Sequence, residues 1–247
     1  MIKKVLNIVM ILLAGGLLGG GILLFSEVST YAADQKTYGE IQEQAVREPS
    51  SDGMDKSIDF EYLMTVNPGA CSWISIPDTN IDYPIVQGED NEFYLDHDIN
   101  GEPSRAGAIF MDYECSTDLS DLKTIIYGHN MKDGSMFHDL HKFRKDPAFG
   151  ESHPYMYLYL ENDFMAQYEL LCSISTTNSD KAVYGYVEEG QGAYEVAQAI
   201  VDKADTVYAE VRGTEIIVLS TCIKGSKRFD VIYQRIPGVM DSITDQG

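Results

Sequence analysis

The chain has few positively charged side chains for its size. Its 247 residues include 18 Lys and Arg against 39 Asp and Glu, which gives a formal net charge of −21 at pH 7. Nucleic-acid binding depends mostly on clustered Lys and Arg, and the sequence contains no basic stripe of that kind. We therefore expect no nucleic-acid partner, and we interpret the acidic excess as a solvated surface that could attract cationic groups such as amines.

Cysteine is also scarce. Four cysteines are present, at positions Cys71, Cys115, Cys172 and Cys222. They are widely spaced and form neither a C-x-x-C pair nor a Cys/His cluster, which argues against a structural zinc site. His138 and His141 could share a metal on one helix face, but they have no third ligand nearby in the sequence. We therefore expect no metal and no cofactor.

One apolar run of membrane-spanning length is present, at the N-terminus. Residues Val5–Phe25 are interrupted only by Asn7 and glycines. As a helix, this run is about 32 Å long, enough to cross a bilayer and longer than the usual apolar core of a cleaved signal. We predict an uncleaved membrane anchor over residues 1–33, although the small residues of "STYAAD" leave cleavage open. Lys3 and Lys4 precede the run, which predicts a single-pass protein of the cell membrane with a cytoplasmic N-terminus and an extracellular remainder.

The rest of the chain divides into a short polar segment and one larger domain. Residues 34–57 contain "REPSSDG" and predict a stalk or N-terminal helix. Residues 58–247 have the length of a single domain. Eight segments have strand-like length and apolar patterning: "CSWISI", "NIDYPIV", "AGAIFMD", "LKTIIYG", "YMYLYLE", "FMAQYELLCSIS", "EIIVLST" and "FDVIYQRI".

Helical patterns are few in this domain. "DFEYLMTVNP" has helical spacing and ends at a proline, and a second helix is predicted near residues 134–143. The clearest is "GAYEVAQAIVDKADTVY", residues 192–208, where Val196, Ile200 and Val207 mark an apolar face. Many short strands with few helices indicate a β-barrel or sandwich with helical inserts.

Three reactive side chains fall at the ends of predicted strands. His129 follows "TIIYG", Cys222 ends "EIIVLSTC", and Arg228 lies in "KGSKRFDVIYQ" where the last strand begins. A neighbouring cation lowers the pKa of a thiol, histidine can return a proton to a leaving amine, and a guanidinium can donate to an oxyanion. Each residue also has a plain structural interpretation, as core cysteine, turn histidine or surface arginine. Arg235 is a second candidate for the arginine.

The local sequences of these motifs resemble those of a known protein family. "LSTC" followed after five residues by Arg, with "YGHN" about 90 residues upstream and an N-terminal anchor, resembles the sortases, membrane-anchored cysteine transpeptidases of Gram-positive bacteria. "GHNMKDGSMF", "IDYPIVQGEDNEFYL" and "GAIFMDY" are similar to the class B branch. The resemblance implies an eight-stranded sortase-type β-barrel with an N-terminal helical extension. It also implies a long helix before the penultimate strand, expected at residues 192–208.

The resemblance also implies a reaction and its site residues. The expected catalytic residues are His129, Cys222 and Arg228. The expected substrate contacts are Asn91, Leu95, Thr177 and Ser220. In this family the cysteine attacks the Thr carbonyl of a C-terminal sorting signal in a secreted surface protein, here expected to be NPxTx-like. The resulting thioacyl group passes to an amine of a cell-wall peptide or a pilin.

The sequence departs from the class B pattern directly after Cys222. Ile223 and Lys224 stand where these sequences often have an acidic residue, a change that bears on substrate specificity. Two other functions remain open at this point: a secreted cysteine hydrolase that uses water as acceptor, and a non-catalytic adhesion module.

Overall fold

The computed structural model describes residues 32–47, 56–161 and 164–242. The apolar run predicted to be a membrane anchor lies outside these residues. Among the residues described, none of the helices is long and apolar enough to cross a bilayer.

Eight strands close into a barrel. The described residues form the strands β1 (Val46–Arg47), β2 (Ser57–Ile58), β3 (Ala70–Ser75), β4 (Asp82–Gln87), β5 (Ile109–Met111), β6 (Lys123–Tyr127), β7 (Tyr155–Leu160), β8 (Phe164–Thr177), β9 (Thr206–Val207), β10 (Ile216–Lys224) and β11 (Lys227–Ser242). The barrel order is β3-β4-β5-β6-β10-β11-β8-β7, and β7 pairs with β3 to close the ring. The pairs β4–β5 and β6–β10 are parallel. The predicted eight-stranded barrel is confirmed, and each of the eight predicted segments supplies one of its strands.

The barrel interior is filled by side chains, as expected for a barrel of this strand number. Fully buried aromatic residues include Trp73, Phe110, Tyr168, Phe229 and Tyr233. A second buried cluster lies on the other face of β10. β10 is therefore covered on both faces, which explains why its sequence is a continuous apolar run and not an alternation of apolar and polar residues.

Six α-helices and two short 3-10 helices, Phe93–Leu95 and Phe137–Asp139, occur in the described part of the chain. In chain order, the α-helices are α1 (residues 32–45), α2 (Phe60–Val66), α3 (Leu140–Lys145), α4 (Pro147–Ser152), α5 (Lys181–Tyr184) and α6 (Ala193–Val201). Tyr38, Ile41 and Ala45 are three and four residues apart, so they share one face of α1, and that face is buried against the barrel. The predicted N-terminal helical extension is therefore present and packed.

The helix before the penultimate strand is shorter than predicted. α6 occupies the expected place, and its Val196 and Ile200 are buried, but it ends at Val201. Thr206 and Val207 form β9 against Ser173 and Cys172 of β8, and Val207 is 51% exposed. The prediction that Val207 continues the apolar face of the helix is wrong. Both residues are β-branched, and a partner strand that the local sequence does not reveal supplies their backbone hydrogen bonds.

Candidate active site

The parallel pairing of β6 and β10 brings His129 and Cys222 to the same edge of the barrel. Tyr127 is in register with Ser220, and the Gly128 amide donates to the Ser220 carbonyl at 3.2 Å, which extends the ladder past the end of β6. His129 and Cys222 each lie two residues beyond this pair. Side chains in a strand alternate between faces with a period of two, so the two reactive groups emerge side by side.

A β-bulge places Arg228 opposite Cys222. Pairing runs from Ile216↔Gln234 to Cys222↔Arg228 and shifts by one residue before Lys224↔Lys227. Ile223 is the extra residue. Without this bulge, the tight turn between β10 and β11 would set Phe229 opposite Cys222, because a one-residue slip moves every side chain to the other face. The Arg228 guanidinium Nη1 donates a hydrogen bond to the Cys222 Sγ.

The His129 ring is oriented by a backbone carbonyl. Its Nε2 lies 2.6 Å from the carbonyl oxygen of Leu95. A carbonyl oxygen can only accept, so Nε2 carries the hydrogen and Nδ1 is the nitrogen left for proton exchange. Gly107 makes this approach possible, because its φ of +60° favours glycine. A Cβ at this position would lie 2.5 Å from the Tyr94 carbonyl oxygen and 3.2 Å from the His129 ring.

The three groups share one cavity with a volume of about 180 Å³. Its wall is formed by Asn91, Leu95, Ala108, Phe110, Tyr127, Gly128, His129, Asn178, Tyr184, Ser220, Cys222 and Arg228. Leu95 is 39% exposed at the cavity, so it is not a core residue. The arrangement therefore combines a thiol, an imidazole and a guanidinium with a partly apolar recess of a size suited to a peptide side chain.

Three of the four expected substrate contacts line the cavity, and one does not. Asn91 lies in the wall, with its side-chain amide donating to the Asp112 carboxylate at 2.9 Å and accepting from the Tyr113 amide at 3.0 Å. Thr177 is outside the wall; its hydroxyl lies 3.1 Å from the Ser179 hydroxyl. The preceding side chain in β8, Thr176, faces Asp230, so strand alternation directs Thr177 to the other face. The next residue, Asn178, lines the cavity instead.

Two tyrosines in the wall were not identified from the sequence. The Tyr127 hydroxyl donates to Asp112 at 2.9 Å, and the Tyr184 hydroxyl donates to Asp230 at 2.7 Å. Tyr127 directly precedes the "GHN" motif, so its position next to His129 was a usable signal. No sequence signal indicated Tyr184, because it lies in a segment remote in sequence from all three reactive residues.

The remaining candidate residues lie elsewhere. Arg235 faces Glu215, with 3.9 Å between their charged groups, and is not in the cavity wall. The His141 Nε2 lies 3.4 Å from the Cys222 carbonyl oxygen, and burial lowers the pKa of this imidazole. No group of three or more metal-ligating side chains occurs within residues 32–47, 56–161 and 164–242.

We expect an alkylating reagent to modify Cys222 before the other three thiols. Burial raises the pKa of Cys71 and of Cys172 to about 12 and that of Cys115 to about 11, so these thiols stay protonated at pH 8. The thiolate is the reactive form, and Cys222 lines the cavity in contact with a guanidinium. Brief treatment of the folded protein with iodoacetamide, followed by peptide mass spectrometry, tests this order. Equal labelling of Cys115 and Cys222 would contradict it.

Comparison with known proteins shows the family. A family model described as the sortase domain matches residues 74–236. Sortase B of Listeria monocytogenes is 39% identical over 164 residues, which make up 65% of this chain and 65% of that protein, slightly under two thirds of its length. Sortase B of Staphylococcus aureus is 29% identical over 227 residues, covering 89% of this chain and 90% of that protein.

A solved structure matches over most of the described chain. The crystal structure of sortase B from Bacillus anthracis in complex with AAEK1 has a TM-score of 0.69 and 30% sequence identity to this chain. The match covers 85% of this chain and 99% of that one. The similarity therefore includes the whole barrel and not only the sequence motifs around the cavity.

Proposed function

Because this chain belongs to the sortase B family of cysteine transpeptidases, we propose that Cys222, His129 and Arg228 are its catalytic residues. The observation that carries this proposal is the register of three neighbouring strands, which brings a thiol, an imidazole and a guanidinium into one cavity. No other cysteine lines that cavity. A non-catalytic adhesion module would not require these three reactive groups to lie in one cavity.

Each residue has a defined role in the proposed reaction. The Cys222 thiolate attacks the Thr carbonyl carbon of a sorting signal, and the negative charge that develops on the carbonyl oxygen is stabilised by the Arg228 guanidinium. The C–N bond then breaks, and His129 gives a proton to the leaving amine from Nδ1. In the second half, an amine attacks the thioester, His129 accepts its proton, and the thiolate is released.

We propose that the substrates are secreted surface proteins with an NPxTx-like C-terminal signal. Asn91, Leu95 and Ser220 would contact the signal, with Asn178 in the place first assigned to Thr177. The acceptor would be an amine of a cell-wall peptide or a pilin, consistent with the acidic net charge of −21. A membrane-anchored, extracellular catalytic domain, as family membership suggests, would place the cavity where both substrates occur.

The proposed transfer is separable from simple hydrolysis. The full chain, purified in detergent, would be incubated with NPxTx peptides and an excess of amine, either an oligoglycine or a lysine-containing peptide. Mass spectrometry of the products should then show an amide between the Thr of the signal and the added amine, in amounts that rise with amine concentration. If only the free acid forms with every amine tried, the alternative of a cysteine hydrolase is correct.

A further inference from the structure

The wall of the cavity includes one helix that is too short to be stable alone. α5 spans four residues, Lys181–Tyr184, whereas isolated helices shorter than about 12 residues are marginal in water. Its position must therefore depend on contacts with the barrel. Val183, in the helix itself, is fully buried, and the Asp180 carboxylate caps the first turn by accepting from the Ala182 amide at 2.9 Å.

Two buried charged residues hold the far end of this helix. The Lys123 ammonium, from β6, donates to the carbonyl oxygens of Ala182 at 3.3 Å and Gly185 at 2.7 Å. The Asp230 carboxylate, from β11, accepts from the Tyr184 hydroxyl at 2.7 Å. These strands lie on either side of β10, the strand that ends in Cys222. Tyr184 is thus fixed from both sides of the catalytic strand.

Asp230 lies one row behind the Arg228–Cys222 pair. Asp230 is opposite Ser220 in the β10–β11 register. Asp230 is two residues from Arg228 and Ser220 is two residues from Cys222, so each points to the same side of the sheet as its reactive neighbour. The two oxygens of Asp230 are shared between two hydroxyls: Thr176 donates to Oδ2 at 2.5 Å, and Tyr184 donates to Oδ1. The Tyr184 oxygen also lies 2.8 Å from the Ser220 hydroxyl. The Asp230 carboxylate is therefore hydrogen-bonded to Tyr184 in the cavity wall and, through the Tyr184 hydroxyl, linked to Ser220 in the same wall.

A fully buried carboxylate in an apolar strand needs an explanation. Asp230 has no exposed surface, and burial raises its pKa. Because the pKa is raised, the contribution of Asp230 to stability is lost as the pH rises through its folded-state pKa. A valine at this position of β11 would suit the strand better.

We infer that Asp230 is a positioning residue for peptide binding, because it holds the Tyr184 hydroxyl and so fixes the aromatic wall of the cavity that receives the sorting signal. This inference rests on the proposed function, but its structural half can be tested without a substrate. If the hydroxyl is released, the short α5 loses one of its few attachments, and the Tyr184 ring is no longer kept against the cavity.

Hydrogen exchange tests the structural half. In the full chain, Asp230→Val and Tyr184→Phe should each speed amide exchange in residues 181–185 by about tenfold, the value of one hydrogen bond. Thr124→Val is the matched control, because it removes a buried hydroxyl of β6 that has no hydrogen-bond partner among the described residues and leaves the link between Asp230 and Tyr184 intact. It should leave exchange in α5 within twofold of the unmodified chain. Unchanged exchange in Asp230→Val would overturn the inference.

Peptide kinetics test the functional half. Asp230→Val should raise KM for the NPxTx peptide about tenfold with kcat within about twofold, and Cys222 should react with iodoacetamide at the unmodified rate. Asp230→Asn, which can still hydrogen-bond Tyr184, should restore KM. The double variant Asp230→Val/Tyr184→Phe should be no worse than either single variant, because both remove the same link.

The outcomes separate this inference from the proposed function. A normal KM in Asp230→Val, or effects of the two substitutions that multiply, would overturn the role of Asp230. Failure of the unmodified chain to cleave any peptide would instead refute the proposed function and, with it, the peptide-binding half, while the exchange experiment would still decide whether Asp230 holds Tyr184.

Discussion

Replacing Cys222 with alanine is expected to abolish peptide cleavage and amine transfer together, with a loss on the order of 10⁴-fold or more. The thiol is the nucleophile in both halves of the proposed reaction, and no other thiol lines the cavity. Removing the nucleophile leaves only binding and oxyanion stabilisation, which cannot form the acyl intermediate. The measurement is release of the C-terminal fragment from a fluorogenic NPxTx peptide, together with mass spectrometry for the thioacyl adduct.

Cys115→Ala is the matched control for this experiment. Cys115 is also partly exposed, but it lies outside the cavity wall, and its Sγ is 3.8 Å from the Lys123 carbonyl oxygen. We expect this variant to cleave and transfer at close to the unmodified rate. Cleavage that survives in Cys222→Ala would refute both enzyme hypotheses, because each of them uses the Cys222 thiol as the nucleophile.

Replacing Arg228 with lysine is expected to lower kcat about 10²- to 10³-fold, the usual value of one oxyanion donor. Lysine keeps the positive charge but lacks the planar fork of donors, and its ammonium is a single point charge on a flexible stem. The geometry at this position depends on a bulge that sets the guanidinium directly opposite Cys222. The measurement is the rate of thioacyl formation in a single turnover, which isolates the first chemical step.

Arg235→Lys serves as the control for the arginine. Arg235 lies in the same strand and pairs in register with Tyr168, while its guanidinium faces Glu215 and not the cavity. This variant should retain nearly normal single-turnover rates. A large loss in Arg235→Lys with little change in Arg228→Lys would show that the wrong arginine has been assigned.

The strands of the barrel could be predicted because their signal is local. Each of the eight segments has its own apolar pattern and its own flanking turn residues, so periodicity alone located them. The end of α6 could not be predicted in this way. Thr206 and Val207 leave the helical pattern because β8 offers them a partner, and that pairing joins residues more than 30 positions apart.

The candidate site shows the same division. Its reactive residues His129, Cys222 and Arg228 could be proposed because each ends or begins a predicted strand and matches a family motif. Their convergence depends on the parallel register of β6 and β10 and on the bulge at Ile223. Thr177 was expected in the cavity, but strand alternation directs it to the other face, and Asn178, directly after the end of β8, lines the cavity instead.

The strand content, the reactive residue types and the family could be predicted without a structure, because each depends on short contiguous segments. Which side chains meet could not, because those contacts join segments that are distant in the chain. The carboxylate of Asp230 is joined to hydroxyls from β8, α5 and, through Tyr184, β10, which come from separate parts of the chain. Contacts of this kind depend on barrel closure and strand register, and these are set by the packing of the whole domain and not by any one segment.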